Sequence, residues 1–310
     1  MRFAVRARAV AALAVVAVSV SACNEFSFSV QHPSGTVASS SAPTATASKS
    51  ASAPSPKLRP TSHTPSPAEL RTQAAAAVRT IIKQQAAGGV SVAALNMSTG
   101  KQFSAGATSG MWTASCYKLL VLISLILAQG GIGGYSATAQ RAIENSDNVA
   151  GYSLYTAAGG SGALVSALRR LGATHTVPGA SDPTFTRTSA TDYLKALKAL
   201  VTPGILSASQ RSTILGLMRN VESDQRWGVG VVADKGTDFA NKNGWLSIDN
   251  NGPGESDNGL WAVNSAGIVR IGGQQVLMAV FTQHQSDFAT GIRLVQKLAR
   301  TVAPAVAPPR

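Results

Sequence analysis

The chain has 310 residues and a formal charge of +13, from 27 basic and 14 acidic side chains. The basic residues are scattered, with no Lys/Arg run interleaved with aromatics, which argues against nucleic-acid binding and for a positive surface facing an anionic membrane or wall. Two cysteines and four widely spaced histidines exclude a disulfide framework and show no metal-ligand spacing, so neither a metal nor a cofactor is expected.

At the amino terminus Arg2, Arg6 and Arg8 precede an apolar run, Ala9 to Val20. That run is too short to span a bilayer as a stable anchor. It ends in Val20-Ser21-Ala22-Cys23. Small residues before a cysteine form the pattern of a bacterial lipoprotein signal. Residues 1–22 are therefore read as a signal peptide. Cys23 is read as the lipidated residue, holding the protein at the extracellular face of the cell membrane, with about 0.8 kcal/mol from each buried CH₂. An ordinary secretory signal with a chance cysteine is the alternative. Residues 23–67 are rich in Ser, Ala, Pro and Thr, too poor in bulky apolar groups to order themselves, and read as an extended tether. Residues 68–304 suffice for one domain with a sizeable core, and 305–310 read as a tail.

Along that domain, Ala68 to Gln85 is Ala-rich with Leu70, Val78, Ile81 and Ile82 on one face, an amphipathic helix stopped by Gly88-Gly89. "VSVAALN" and "KQFSAG", joined by "MSTGK", predict a hairpin. Ala114 to Leu217 is mainly helical in pattern, and "SATAQRAIENSDNVAGYSLYTAA" reads as one helical stretch within it. "NKNGWLSI", "GLWAVNSAGIVRI" and "QQVLMAVFTQ" predict strands, and a closing helix is expected from about Ser286 to Val302. The fold class is α+β: an antiparallel sheet with the terminal helices on one face and a mainly helical block on the other.

Three short segments carry chemistry. Ser115 and Lys118 are spaced i, i+3, so they share one face of a helix. A serine hydroxyl needs something to take its proton. A lysine does so when burial or a second cation lowers its pKa, and the apolar run after Lys118 supplies burial. Ser146-Asp147-Asn148 follows, read either as a helix cap or as part of a site. A second copy, Ser256-Asp257-Asn258, lies in a Gly/Pro/Asn loop without a rigid element to aim it. Lys242-Asn243-Gly244 opens a strand and is preferred to Lys235-Gly236-Thr237. In this arrangement lysine points into a cleft and glycine lets a ligand approach the backbone.

In order and context, these segments resemble the S-x-x-K, S-D-N and K-T-G set of the serine β-lactamase and penicillin-binding protein family. The resemblance covers nearly the whole domain and is closest to class A β-lactamase-like lipoproteins of high-GC Gram-positive bacteria. It implies a serine hydrolase acylated on Ser115. Lys118 would take or relay the proton, Ser146 would pass it to the leaving nitrogen, and Lys242 would attract the substrate carboxylate. Asn148, Asn243, Gly244 and Trp245 would bind substrate, with the N–H groups of Ser115 and Trp245 as oxyanion hole. The implied partner is a β-lactam or a D-Ala-D-Ala-like wall peptide, and a monomer is expected.

The chain also departs from that pattern. Asn243 replaces the usual Thr or Ser. Trp245 stands where a small residue is common, and either narrows the cleft or covers core. The gap from Ser115 to Ser146 is short, with "AQGGIGGYSATAQ" in place of a longer wall, which implies an open site. The loop "HTVPGASDPTFTRTSATDY" has no Glu to activate a deacylating water. Asp182, before Pro183, lands at the expected place. It is either a shorter base, which must come within ~3 Å of its proton, or a turn residue. Acylation is thus expected, while deacylation is open between turnover with Asp182 as base and a slow step without one. The alternative is a weak or inactive wall-peptide or partner-binding lipoprotein using the same cleft. Cys116, about 100° around the helix from Ser115, reads as a buried small hydrophobe, and Glu222, Asp224 and Arg226 as an ion-paired loop.

Overall fold

The computed structural model describes residues 65–85, 89–247 and 260–307. The leader, Cys23, the tether up to residue 64 and the Ser256-Asp257-Asn258 copy all lie outside them.

Helix α1 (Pro67–Gln84) starts one residue before the expected boundary, because Ser66 and Glu69 form a reciprocal capping box and Pro67 occupies the first turn. Strands β1 (Val90–Asn96) and β2 (Gln102–Gly106) form the expected hairpin. Strands β5 (Ala240–Ser247), β6 (Trp261–Ile271) and β7 (Gln274–Gln285) complete an antiparallel sheet in the order β2-β1-β7-β6-β5. The first and last strands therefore meet within the sheet, where β1 pairs with β7.

Strict alternation along β7 supplies both faces. Val276, Met278 and Val280 pack with α1 and the last helix, α8 (Phe288–Val306), through Val78, Ile81, Val295, Leu298 and Val302. Leu277, Ala279 and Phe281 face the helical block. Because both faces are buried, the strand reads as a nearly unbroken apolar run.

The helical block holds α2 (Tyr117–Gln129), α3 (Ser136–Glu144), α4 (Asn148–Ala158), α5 (Gly160–Leu171), α6 (Ala190–Val201) and α7 (Ala208–Arg219). Every residue of α2 from Tyr117 to Ile126 is buried. Apart from Lys118 and Ser124 it is apolar all round, as a helix enclosed on every side must be.

Three features differ from the sequence reading. The stretch expected as one helix breaks between α3 and α4: Ser146 adopts φ 60° and Asp147 caps α4, accepting from the Ala150 N–H at 2.8 Å. A two-residue pairing, β3 (Met111–Trp112) with β4 (Arg187–Thr188), ties the loop before α6 to the approach to Ser115. Residues Ala305 and Val306 are not a frayed tail. They continue α8 past Pro304 and are 2% and 1% exposed, and the Val306 carbonyl accepts from Asn96 Nδ2 at 3.0 Å. Their burial against the sheet holds the helix together beyond a residue that supplies no N–H.

Candidate active site

Ser115 sits in a one-turn 3-10 segment, Ala114–Cys116, that feeds α2. Ala114 before it has φ 43°, a left-handed value that costs a non-glycine residue energy and that surrounding structure must enforce. Enforcement comes from three sides. Tyr193 Oη donates to the Cys116 carbonyl at 2.9 Å. Asn264 Nδ2 donates to the Trp112 and Thr113 carbonyls at 2.8 and 3.2 Å. Strand β5 presses on the turn at Gly244, where an added Cβ would lie 2.6 Å from Thr113 O and 2.9 Å from Ser115 N. Gly244 is thus required by the protein's own backbone.

Lys118 is fully buried one turn into this segment. Its Nζ lies 2.8 Å from Ser115 Oγ, 2.7 Å from Asn148 Oδ1, 2.5 Å from the Ser146 carbonyl and 3.3 Å from Ser146 Oγ. Lys242, also fully buried, donates to Ser146 Oγ at 2.8 Å and to the Asn243 carbonyl at 3.1 Å. Ser146 Oγ therefore lies between two amines, held there by the left-handed backbone of its own residue. Burial, then the charge of Lys242, lowers the Lys118 pKa to about 7, and burial lowers that of Lys242 to about 8. A neutral Lys118 satisfies its whole inventory here: two N–H bonds to the Asn148 and Ser146 carbonyl-type oxygens, and one lone pair accepting the Ser115 hydroxyl proton.

The structure thus brings together Ser115, Lys118, Ser146, Asn148 and Lys242. It does not bring two of the other residues expected to bind substrate into that group. The Asn243 carboxamide turns to the opposite face of β5, is 1% exposed, and donates to the Gln225 and Trp227 carbonyls at 2.7 and 3.2 Å. The Trp245 side chain packs in an aromatic cluster, its ring centroid 6.1 Å from Trp227 and 5.5 Å from Phe288. The reason is strand parity: when Lys242 and Gly244 face Ser115, Asn243 and Trp245 must face away.

Asp182 caps the short turn Pro183–Phe185, its carboxylate accepting from the Thr184 N–H at 2.7 Å. No hydrogen bond joins it to Ser115 or Lys118 among the described residues. Lys235 and Gly236 are exposed in a turn. Cys116 is fully buried, its thiol pushed up to about 12 by burial. Arg226 pairs with Asp238 at 2.9 Å rather than with Glu222 or Asp224; Glu222 accepts from Asn145.

Sequence reasoning missed Asn264, Tyr193, Tyr117 and Gly151. Asn264 had a signal, a lone carboxamide inside the apolar strand "WAVNSAGIV". Gly151 had none. A Cβ there would lie 2.6 Å from Tyr117 Oη and 2.8 Å from Lys118 Cε, so α4 needs glycine where two side chains of α2 cross it.

A serine whose proton a buried amine can accept, beside a second amine and a bridging hydroxyl, has the parts that an activated serine nucleophile needs. Residues 135–306 match the Beta-lactamase enzyme family, and the chain belongs to that family. Solved structures share the fold. An acyl-enzyme complex of a PBP-A variant with penicillin G is 19% identical, with a TM-score of 0.64, covering 77% of this chain and 96% of that one. A variant of the TLA-1 extended-spectrum β-lactamase is 15% identical, with a TM-score of 0.65, covering 76% and 98%. A class A β-lactamase from Bacteroides cellulosilyticus is 14% identical, with a TM-score of 0.64, covering 76% and 98%. No curated protein matches the chain.

Proposed function

We propose that the protein is a serine hydrolase acylated on Ser115 by a β-lactam or a D-Ala-D-Ala-like wall peptide, with slow deacylation, anchored to the outer face of the membrane through a lipid on Cys23. The observation that carries the catalytic reading is the 2.8 Å contact of Ser115 Oγ with a lysine whose other neighbours accept hydrogen bonds from it. In the reaction, neutral Lys118 takes the Ser115 proton as Oγ bonds to the substrate carbonyl carbon. The N–H groups of Ser115 and Trp245 stabilise the oxyanion, each such donor contributing about 2.7–4 kcal/mol. The proton then passes from Lys118 through Ser146 Oγ to the leaving nitrogen as its bond to carbon breaks. Lys242 holds Ser146 and attracts the substrate carboxylate. With Asn243 turned away, that carboxylate depends on Lys242 more heavily than the motif alone implies.

Intact-protein mass after mixing with penicillin G tests the reading: an adduct on Ser115 is expected within minutes and persists for hours. A well-folded protein that gains no mass would refute it.

The pH dependence follows from the two amines. Lys118 must be neutral, so acylation rises as pH passes about 7. Lys242 must be charged, so acylation declines above about 8. The pair titrates together, and the two limbs belong to the pair. A labelling rate that stays flat from pH 6 to 9 would contradict these roles.

The lipid anchor is supported by the small residues before Cys23. Cys23→Ala is expected to move the protein from the membrane fraction to the soluble one, and continued retention would count against the anchor.

A further inference from the structure

We propose that the cavity between Trp112 and the loop before α6 receives the acyl side of the substrate, and that Arg187 makes it select acyl groups carrying a carboxylate. The proposal rests on the acylation reading above and names a substrate class within it.

Trp112 of β3 and Arg187 of β4 stand directly opposite each other, so their side chains share one face of the pair. The Arg187 guanidinium lies 5.7 Å from the Trp112 ring centroid. With Val177, Pro178 and Phe185 among the other lining residues, they enclose a cavity of about 410 Å³. Val177 is 60% exposed, an uncovered apolar wall. Arg187 is exposed, and among the described residues no carboxylate pairs with it. The carboxylates of the adjoining loop and helix are engaged elsewhere: Asp182 accepts from the Thr184 N–H at 2.7 Å, and Asp192 from Lys195 at 2.7 Å. The cavity therefore offers an uncompensated cation beside apolar walls. A guanidinium held against an aromatic ring keeps its N–H edge for a two-pronged bond to a carboxylate.

This cavity adjoins the reacting pair. The Thr113 N–H donates to the Thr186 carbonyl at 2.8 Å. Residues of the Pro183–Phe185 turn lie within 8 Å, Cα to Cα, of the Ala114–Cys116 segment. Trp112 is three positions before Ser115, a span of at most about 11 Å for extended chain. Its side chain packs with Ala262 and Leu246, and Leu246 shares the face of β5 that carries Lys242 and Gly244. In the acylation reading, Lys242 attracts the carboxylate on the leaving side and the Trp245 N–H meets the carbonyl oxygen. A substrate laid along β5 in that direction carries its acyl side past Trp245 toward Leu246 and Trp112. Its substituent then meets the cavity, where an apolar stem suits the walls and a carboxylate meets Arg187.

The test compares two penicillins that differ by one group. Penicillin G carries a phenylacetyl acyl side, and α-carboxybenzylpenicillin adds a carboxylate beside the same ring. Intact-protein mass over time gives a second-order labelling rate for each, and the readout is the ratio of the two rates. Wild type should label about tenfold faster with the carboxylated compound, the scale of a hydrogen bond to a charged group. Arg187→Gln should bring the ratio close to one. Arg187→Lys, which keeps the charge without the planar fork, should give an intermediate ratio. A thermal melt checks that each variant is folded; if Arg187→Gln is not, Arg187→Lys makes the comparison. A wild-type ratio of one or below would overturn the proposal whatever the variants do. So would a folded variant that keeps the wild-type ratio, even with both rates reduced, because a merely structural loss slows both compounds alike. Absence of an adduct with either compound would instead refute the acylation reading, and the subsite with it.

Discussion

Ser115→Ala is expected to abolish covalent labelling by penicillin G, from complete adduct formation to none, while the melting temperature stays within a few degrees. The change removes one oxygen from a residue that is 9% exposed. The turn around it is held by Tyr193, Asn264 and the Gly244 contact, none of which uses the Ser115 side chain. Lys118 keeps its bonds to Asn148 and to the Ser146 carbonyl. The fold therefore survives and only the nucleophile is lost. An adduct of undiminished yield in Ser115→Ala would place the acylated residue elsewhere. The neighbouring thiol of Cys116 is a poor candidate, since burial holds it protonated up to about 12.

Lys118→Met should slow labelling by about 10²–10⁴-fold, the usual contribution of a positioned general base. Methionine fills much of the same volume, so the loss reports proton transfer rather than a cavity. Two opposing effects act on stability. The buried Ser146 residue loses a donor at its carbonyl, which costs roughly 1–3 kcal/mol if left unsatisfied, whereas Asn148 is exposed and its Oδ1 can turn to water. Against that, a buried amine no longer has to be desolvated, and replacing buried charge by apolar volume is often neutral or stabilising. A small net change is expected, and a thermal melt beside the stopped-time labelling series checks both. A labelling rate within threefold of wild type, measured at pH 8, would remove Lys118 from the mechanism.

Both predictions rest on a pair visible in the sequence, because a helix brings i and i+3 together whatever surrounds it. Lys242 was legible in a weaker sense. Its place at the start of a strand with glycine two positions on marked it out, but its bond to Ser146 spans 96 positions and depends on how β5 packs on the helical block. Asn243 shows the limit of the motif. Strand parity was readable, so Lys242 and Asn243 had to face opposite ways, yet nothing local said which face met the nucleophile. The Asp182 alternatives were open for the same reason. A residue before proline is a turn former in any sequence, and only the fold shows that its carboxylate is taken up by the Thr184 N–H.

The sequence by itself determined most of the strands and helices, the apolar pattern that buries both sheet faces, and the placing of Ser115 beside Lys118. These follow from local spacing, since side-chain direction repeats every two residues in a strand and every 3.6 in a helix. Only the tertiary structure decided that Ser146 takes a left-handed backbone between two amines, that Gly244 serves the protein's own backbone, that Gly151 makes room for two crossing side chains, and that α8 runs on past Pro304. Each depends on atoms brought together from distant parts of the chain, where close packing leaves no freedom for a Cβ or a turn of side chain.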